Sequence, residues 1–243
     1  MQGQAGRNED LKMKLALKLW LPGLTIIAIG MAVYLVLSWS VISILQRLFF
    51  SLALVLVLHM HEEEKFPGGF GYVFNVVRAR STVPDRYPMN PLIAMVVDLA
   101  CFFLLFTPAL LFPHVVWLTA LPMFLACMEF VVHASLGIVQ RRRLGYSIYN
   151  PGLVTAAIMG TIGVTYFYNV ASEHLFTGFD WLRAVLYFVA TVLIGLVLPE
   201  QGLKSRDSQW PYEREHFLGF YERYTTIAEV FGEPALPDMR KRR

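Results

Sequence analysis

The stretch LVLVLHMHEEEKFPGGF, residues 54–70, sets two histidines and three glutamates at the end of an apolar run. On a helix, positions i, i+3 and i+4 share a face, so His59, Glu62 and Glu63 lie on one arc. His61 and Glu64 point elsewhere. An imidazole and two carboxylates at the end of a span can bind a metal or pass protons. The plainer reading is that the glutamates mark a helix emerging into water, and for Glu64 that reading suffices. Three acids at a helix C-terminus oppose its macrodipole, so their placement needs a reason.

A second string, MEFVVHASLG at residues 128–137, puts Glu129 and His133 four apart on one helix face, well inside another apolar run. A carboxylate at such depth costs several kcal/mol unless it is paired, protonated or bound. The structural alternative is a hydrogen-bonded pair between helices. Asp98 stands about two turns into a third run, NPLIAMVVDLACF, with Asn90 at its mouth. It is either a site residue or the partner of a basic side chain. In YSIYNPGLVTAA, residues 146–157, Asn150-Pro151-Gly152 reads as a cap followed by a helix start. Asn150 or Tyr149 can also present a polar group to the same site.

The elements that must carry these residues are apolar throughout. The chain is 56% hydrophobic and 16% charged, and its mean hydropathy is +0.50. A soluble domain of this size needs far more polar surface. Six apolar segments emerge: Leu19–Leu45, Leu48–His61, Pro91–Phe112, Val115–Gln140, Gly152–Val170 and Trp181–Leu198. Each is near the ~20 residues that cross ~30 Å of hydrocarbon as a helix. The second is short and reads equally as a tilted, partly buried or re-entrant helix. The fold class expected is an all-α polytopic transmembrane bundle of about six helices. Residues 1–18 form an N-terminal segment, 19–199 the bundle and 200–243 a polar, aromatic tail. Within the tail, Pro211–Phe231 suits an amphipathic helix with Phe217, Phe220, Tyr221 and Tyr224 on one side. It would lie on the membrane surface or cap the bundle.

Lysine and arginine give the orientation. They gather before the first span (Arg7, Lys12, Lys14, Lys18) and after the second (Lys65, Arg78, Arg80, Arg86). They recur after the fourth (Arg141, Arg142, Arg143) and in the tail (Lys204, Arg206, residues 240–243). Both termini and both basic loops are therefore expected in the cytoplasm of a cell-membrane protein. The net charge of +3 reflects these loops and is no argument for nucleic acid. Cys101 and Cys127 lie in apolar runs and read as packing residues. At about 1.5 Å per residue, His59 lies about 9 Å from Lys65, Asp98 about 10 Å from Pro91 and His133 about 12 Å from Arg141. Residues of three helices thus reach similar depth on one side.

The string His59-x-x-Glu62-Glu63, followed by Phe66-Pro67-Gly68-Gly69, resembles the HXXEE-domain family of mostly bacterial multi-spanning membrane proteins. His133 and the Tyr149–Gly152 segment fit the same picture, and the resemblance covers roughly residues 45–200. It implies a membrane enzyme by its polar motifs, with no settled substrate. It also implies an asparagine four residues before the later histidine. Glu129 stands there, so this site is more acidic.

The reading that follows is a divalent metal site near the cytoplasmic face. His59 and His133 would supply nitrogen and Glu62 and Glu129 oxygen, with Glu63 as general base and Asp98 and Asn150 as further site residues. The expected chemistry is metal-assisted hydrolysis or transfer on a lipid or lipid-linked substrate in the bilayer. The zinc-protease pattern H-E-x-x-H is absent, so no peptidase is claimed. A proton-coupled small transporter and a structural scaffold are the alternatives. No protein partner is inferable. A carrier predicts polar groups continuing to the other face, and a scaffold predicts each acid locked against a donor.

Overall fold

In the computed structural model, which describes residues 2–232, the protein is all-α, with six helices long and apolar enough to cross a membrane. They are α1 (Gln2–Leu37), α2 (Ile44–Glu64), α3 (Pro91–Leu111), α4 (Leu121–Leu144), α5 (Leu153–Ser172) and α6 (Gly178–Leu203). A 3-10 segment, Val116–Ala120, leads into α4. The basic run at residues 240–243 lies outside the described residues.

Several boundaries differ from the sequence reading. The first span is continuous with the N-terminal segment, because nothing between Gln2 and Leu37 breaks the helix except a tolerated Pro22. The candidate span Gly6–Leu37, which includes the charged residues 7–18, has 32 residues. At 1.5 Å each that is about 48 Å, so its first turns extend past ~30 Å of hydrocarbon. The second segment is a full helix of 21 residues. Its start is fixed by a capping box, in which Ser43 Oγ accepts from Gln46 N–H and the Gln46 side chain accepts from Ser43 N–H. Arg47 therefore sits in the first turn of α2 rather than in a connection, with its guanidinium over the Trp39 ring at 4.8 Å.

The helix α2 is the most enclosed of the six and packs against α1 and α5, while α4 and α5 run closely side by side. Small residues permit that approach: a Cβ on Gly160 would stand 2.9 Å from Phe130 Cβ, and one on Gly163 2.8 Å from Cys127 Sγ. Leu52, Leu56, Phe102, Phe106, Leu121, Met123 and Tyr166 fill the middle and far half of the bundle.

One end of the bundle carries the connections 65–90 and 145–152 and the segment after Leu203. The first connection holds a short helix, Phe70–Tyr72, that continues as a π-type turn, Val73–Arg78. Asn75, fully buried there, donates to Pro84 O at 2.7 Å and Met89 O at 2.8 Å and accepts from Met89 N–H. This fastens the connection beside Asn90, which caps α3 by accepting from Leu92 and Ile93 N–H. At the opposite end, the connections 38–43, 112–115 and 173–177 contain no lysine or arginine.

The segment Pro211–Phe231 is not one amphipathic helix. It folds as three short pieces, Arg214–Phe217, Gly219–Arg223 and Ile227–Phe231, broken at Gly219 and at the capping residue Thr226. Phe217, Phe220 and Tyr221 are buried against Tyr72, Val73, Val77 and Leu136, so the tail caps the end of the bundle.

Candidate metal centre

The α2 helix presents His59 and Glu63, four residues apart, towards α4, which presents Glu129 and His133 at the same spacing. The two helices run in the same sense and carry the two residue types in opposite order, so each histidine meets both carboxylates. Glu63 Oε1 lies 3.1 Å from His133 Nε2 and 3.6 Å from His59 Nε2. Glu129 Oε2 lies 3.8 Å from His133 Nε2 and 4.0 Å from His59 Nε2. The two imidazole planes meet edge to face, with centroids 4.9 Å apart.

Which nitrogens face the centre follows from what holds the others. His59 Nδ1 is 3.1 Å from Gly152 O, a pure acceptor, so this nitrogen carries the proton and donates it there. His133 Nδ1 is 2.7 Å from Asn150 Oδ1. The Asn150 amide is oriented by donating from Nδ2 to His133 O at 2.9 Å, which leaves its oxygen to accept from the ring. Both Nε2 atoms therefore bring lone pairs, not protons, to the centre. His133 is fully buried, and its Nε2 has no hydrogen-bond partner among the described residues. Gly152 makes this approach feasible: it adopts φ +96°, and a Cβ on it would stand 2.3 Å from His133 Cε1.

The carboxylates are equally short of donors. Among the described residues no backbone N–H, hydroxyl, lysine or arginine donates to Glu63, Glu129 or Asp98. Two lone-pair nitrogens and two carboxylates facing one another call for protons or a cation between them. The residues fit one. The ligand atoms of His59, Glu129 and His133 all lie within 4.8 Å of one another, and the group could hold a metal ion. Donors around a tetrahedral ion are about 3.4 Å apart, so the ligand atoms would draw together by up to about 1.4 Å.

Glu62 is turned away from this centre. Its Oε1 accepts from Tyr149 O–H at 2.9 Å and from Val154 N–H at 3.4 Å, and its Oε2 from Thr155 N–H at 3.0 Å and Thr155 Oγ1 at 2.5 Å. It is the N-terminal cap of α5, supplied by another helix. The dipole that three acids oppose at the end of α2 is thus met, for one of them, by the opposite pole of α5. Asn150 is not the α5 cap that the sequence suggested. Gly152 holds that position without a side chain, and Asn150 orients His133 instead. Burial, together with the Glu62 carboxylate, holds the Tyr149 hydroxyl above the ordinary tyrosine range, so it stays a donor.

His61 faces α1, where its Nε2 lies 2.9 Å from Thr25 Oγ1. Asp98 makes no hydrogen bond to the centre, but its carboxyl is close enough to feel the charges of Glu63, Glu64 and Glu129. Thr155 and the Gly152 carbonyl were not foreseen as partners of His59. Their only signal in the sequence is their place in the NPGLVT string.

Residues 49–167 match the family model described as a protein of unknown function with HXXEE motif. This region is an HXXEE domain. The match begins within α2 and ends within α5, so it takes in His59, Glu62, Glu63, Asp98, Glu129, His133 and Asn150. It is narrower than the 45–200 of the sequence reading, and α1, α6 and the tail lie outside it. Comparison with curated proteins and comparison with solved structures found no match.

Proposed function

We propose that this HXXEE protein is a metal-dependent membrane enzyme, a hydrolase or transferase acting on a lipid or lipid-linked substrate. The observation that carries the reading is the convergence of two proton-free Nε2 atoms with the donor-starved carboxylates of Glu63 and Glu129. His59, His133 and Glu129 would be the ligands. A divalent ion held there would supply Lewis acidity towards a water or an acyl or phosphoryl oxygen. Glu63, beside both Nε2 atoms, is placed to take the proton of the attacking water and return it to the leaving group. Asn150 and Gly152 hold the two rings in register. Glu62 leaves the ligand set for the cap of α5, and Asp98 lies at the margin of the site.

The distribution of polar side chains supports an enzyme over a carrier. Nearly all buried polar residues described here, including His59, Asn75, Asn90, His133, Gln140 and Asn150, gather at one end, whereas the far half is apolar. By the bias of Lys65, Arg78, Arg80, Arg86 and Arg141–Arg143 to that end, the site lies near the cytoplasmic face of the cell membrane, with both termini inside.

The test is metal content by mass spectrometry on detergent-purified protein, wild type beside His59→Ala, His133→Ala and Glu129→Gln. About one equivalent of metal in wild type, lost in each variant, is expected for a single shared site. Carefully prepared wild type that takes up no divalent metal would overturn the reading.

A further inference from the structure

The tail belongs to the site as well as to the cap of the bundle. Its path is fixed where it crosses the Phe66-Pro67-Gly68-Gly69 turn, backbone against backbone. A Cβ on Gly69 would stand 2.5 Å from Leu218 O, and one on Gly219 would stand 2.3 Å from the Gly68 carbonyl carbon. Phe220 N–H donates to Gly68 O at 3.1 Å across this crossing. Upstream, Tyr212 N–H donates to Asp85 O at 2.7 Å. Its ring lies so close to Gly71 that a Cβ there would meet Tyr212 Cε2 at 2.6 Å. Tyr212 and Phe70 pack on the same cluster of Met89, Ile93 and Ala94, and the Phe70 ring faces His133 at 5.7 Å.

The Tyr212 hydroxyl is buried and has no hydrogen-bond partner among the described residues. The other enclosed tyrosines all have one: Tyr149 with Glu62, Tyr166 with Thr119, Tyr221 with Gln140 and Tyr72 with Tyr146. The Tyr212 ring packs with Phe70 beside His133, and the charges that act on its hydroxyl are those of Glu64, Asp98 and Glu63. Burial first, and those charges second, hold it well above the ordinary tyrosine range. It therefore stays protonated, a donor with nothing to donate to among the described residues.

We propose that Tyr212 is a binding residue of the centre, donating its O–H to an oxygen atom of the ligand held at His59, Glu129 and His133. This rests on the metal reading and deepens it: the ligand class is one that offers an oxygen to the metal and a second lone pair to a phenol, as carbonyl, hydroxamate and phosphoryl groups do. Tyr212 lies outside the matched residues 49–167, so the tail would complete the site.

The experiment uses full-length protein in detergent, cobalt(II) as the metal and acetohydroxamate as the oxygen-donor probe, read by the visible cobalt spectrum. Tyr212→Phe is expected to bind cobalt with unchanged stoichiometry and affinity but to bind acetohydroxamate about tenfold more weakly, the worth of one hydrogen bond. Gly219→Ala, which displaces the tail from the Gly68 turn, should show the same split. Equal hydroxamate affinity in wild type and Tyr212→Phe would overturn the proposal and leave the metal centre standing. So would a cobalt-loaded wild type that ignores the probe. A wild type that takes up no cobalt is a separate result, and it removes the metal reading and this proposal together.

Discussion

Glu62 and Glu63 are neighbours in the chain and are surrounded in opposite ways. Glu62 accepts from four donors of α5 and its approach, whereas among the described residues Glu63 accepts from no hydroxyl or backbone group and lies against two imidazoles. The sequence places His59, Glu62 and Glu63 on one arc, and they do share it. It cannot tell which of them faces α4 and which faces α5, because that depends on helix rotation and on neighbours nearly a hundred residues away. Glu62→Gln should lower stability by about 2 kcal/mol, since a charge-assisted cap becomes a neutral one with a donor facing donors. Metal stoichiometry should be unchanged, and thermal unfolding alongside metal analysis checks both. Asn150→Ala frees the His133 ring from its orienting oxygen and should weaken metal binding about 10–100-fold. An unchanged affinity in a cobalt titration would show that the ring is held without it.

Hydropathy made the six spanning helices visible, because each is a long apolar run that the hydrocarbon demands. Their ends were less visible: the break between α1 and α2 lies at 38–43, where no glycine or proline marks it, and only the Ser43–Gln46 capping box sets it. The Phe66-Pro67-Gly68-Gly69 turn was noticed as a motif, but its purpose was not, since the strand of tail that crosses it is 150 residues further on. At this scale Gly69→Ala has the sharpest expected effect, because both the left-handed φ of +102° and the Leu218 carbonyl exclude a side chain. We predict faster amide exchange across 212–224 in that variant, with exchange in α4 and α5 unaltered. Protection that stays at the wild-type level would mean that the crossing tolerates a methyl group.

For the molecule as a whole, charge and chemistry fall on the same end. The connections near the centre carry the lysines and arginines, and those at the far end carry none. Cysteines introduced at Ser172 and at Lys65 should therefore react with membrane-impermeant reagents from opposite sides of intact cells, Ser172 from outside. Labelling of both from one side would contradict six crossings. The pH response belongs to this scale too. Protons compete with the metal for its ligands, so metal affinity should fall as the pH is lowered. An affinity that rises on acidification would mean that the ligands are not the groups assigned. Residue counting set His59, Asp98 and His133 at similar depth, but which helix faces meet was beyond it, and only α2 and α4 bring theirs together. The tail's Tyr212 was not, because a lone aromatic in a polar segment carries no periodicity.

The crossing of Gly219 over Gly68 also orders events in time. A ribosome finishes all six helices before it makes residue 212, so the newborn chain passes through a stage in which the candidate ligands have been made and Tyr212 has not. During that interval the mouth of the centre is open to whatever ion the cell offers. Once residues 212–221 arrive, the plug seats, and exchange of the ion should slow. Loading then becomes a matter of birth order, and chains arrested shortly before Tyr212 should trade cobalt with solution faster than completed ones.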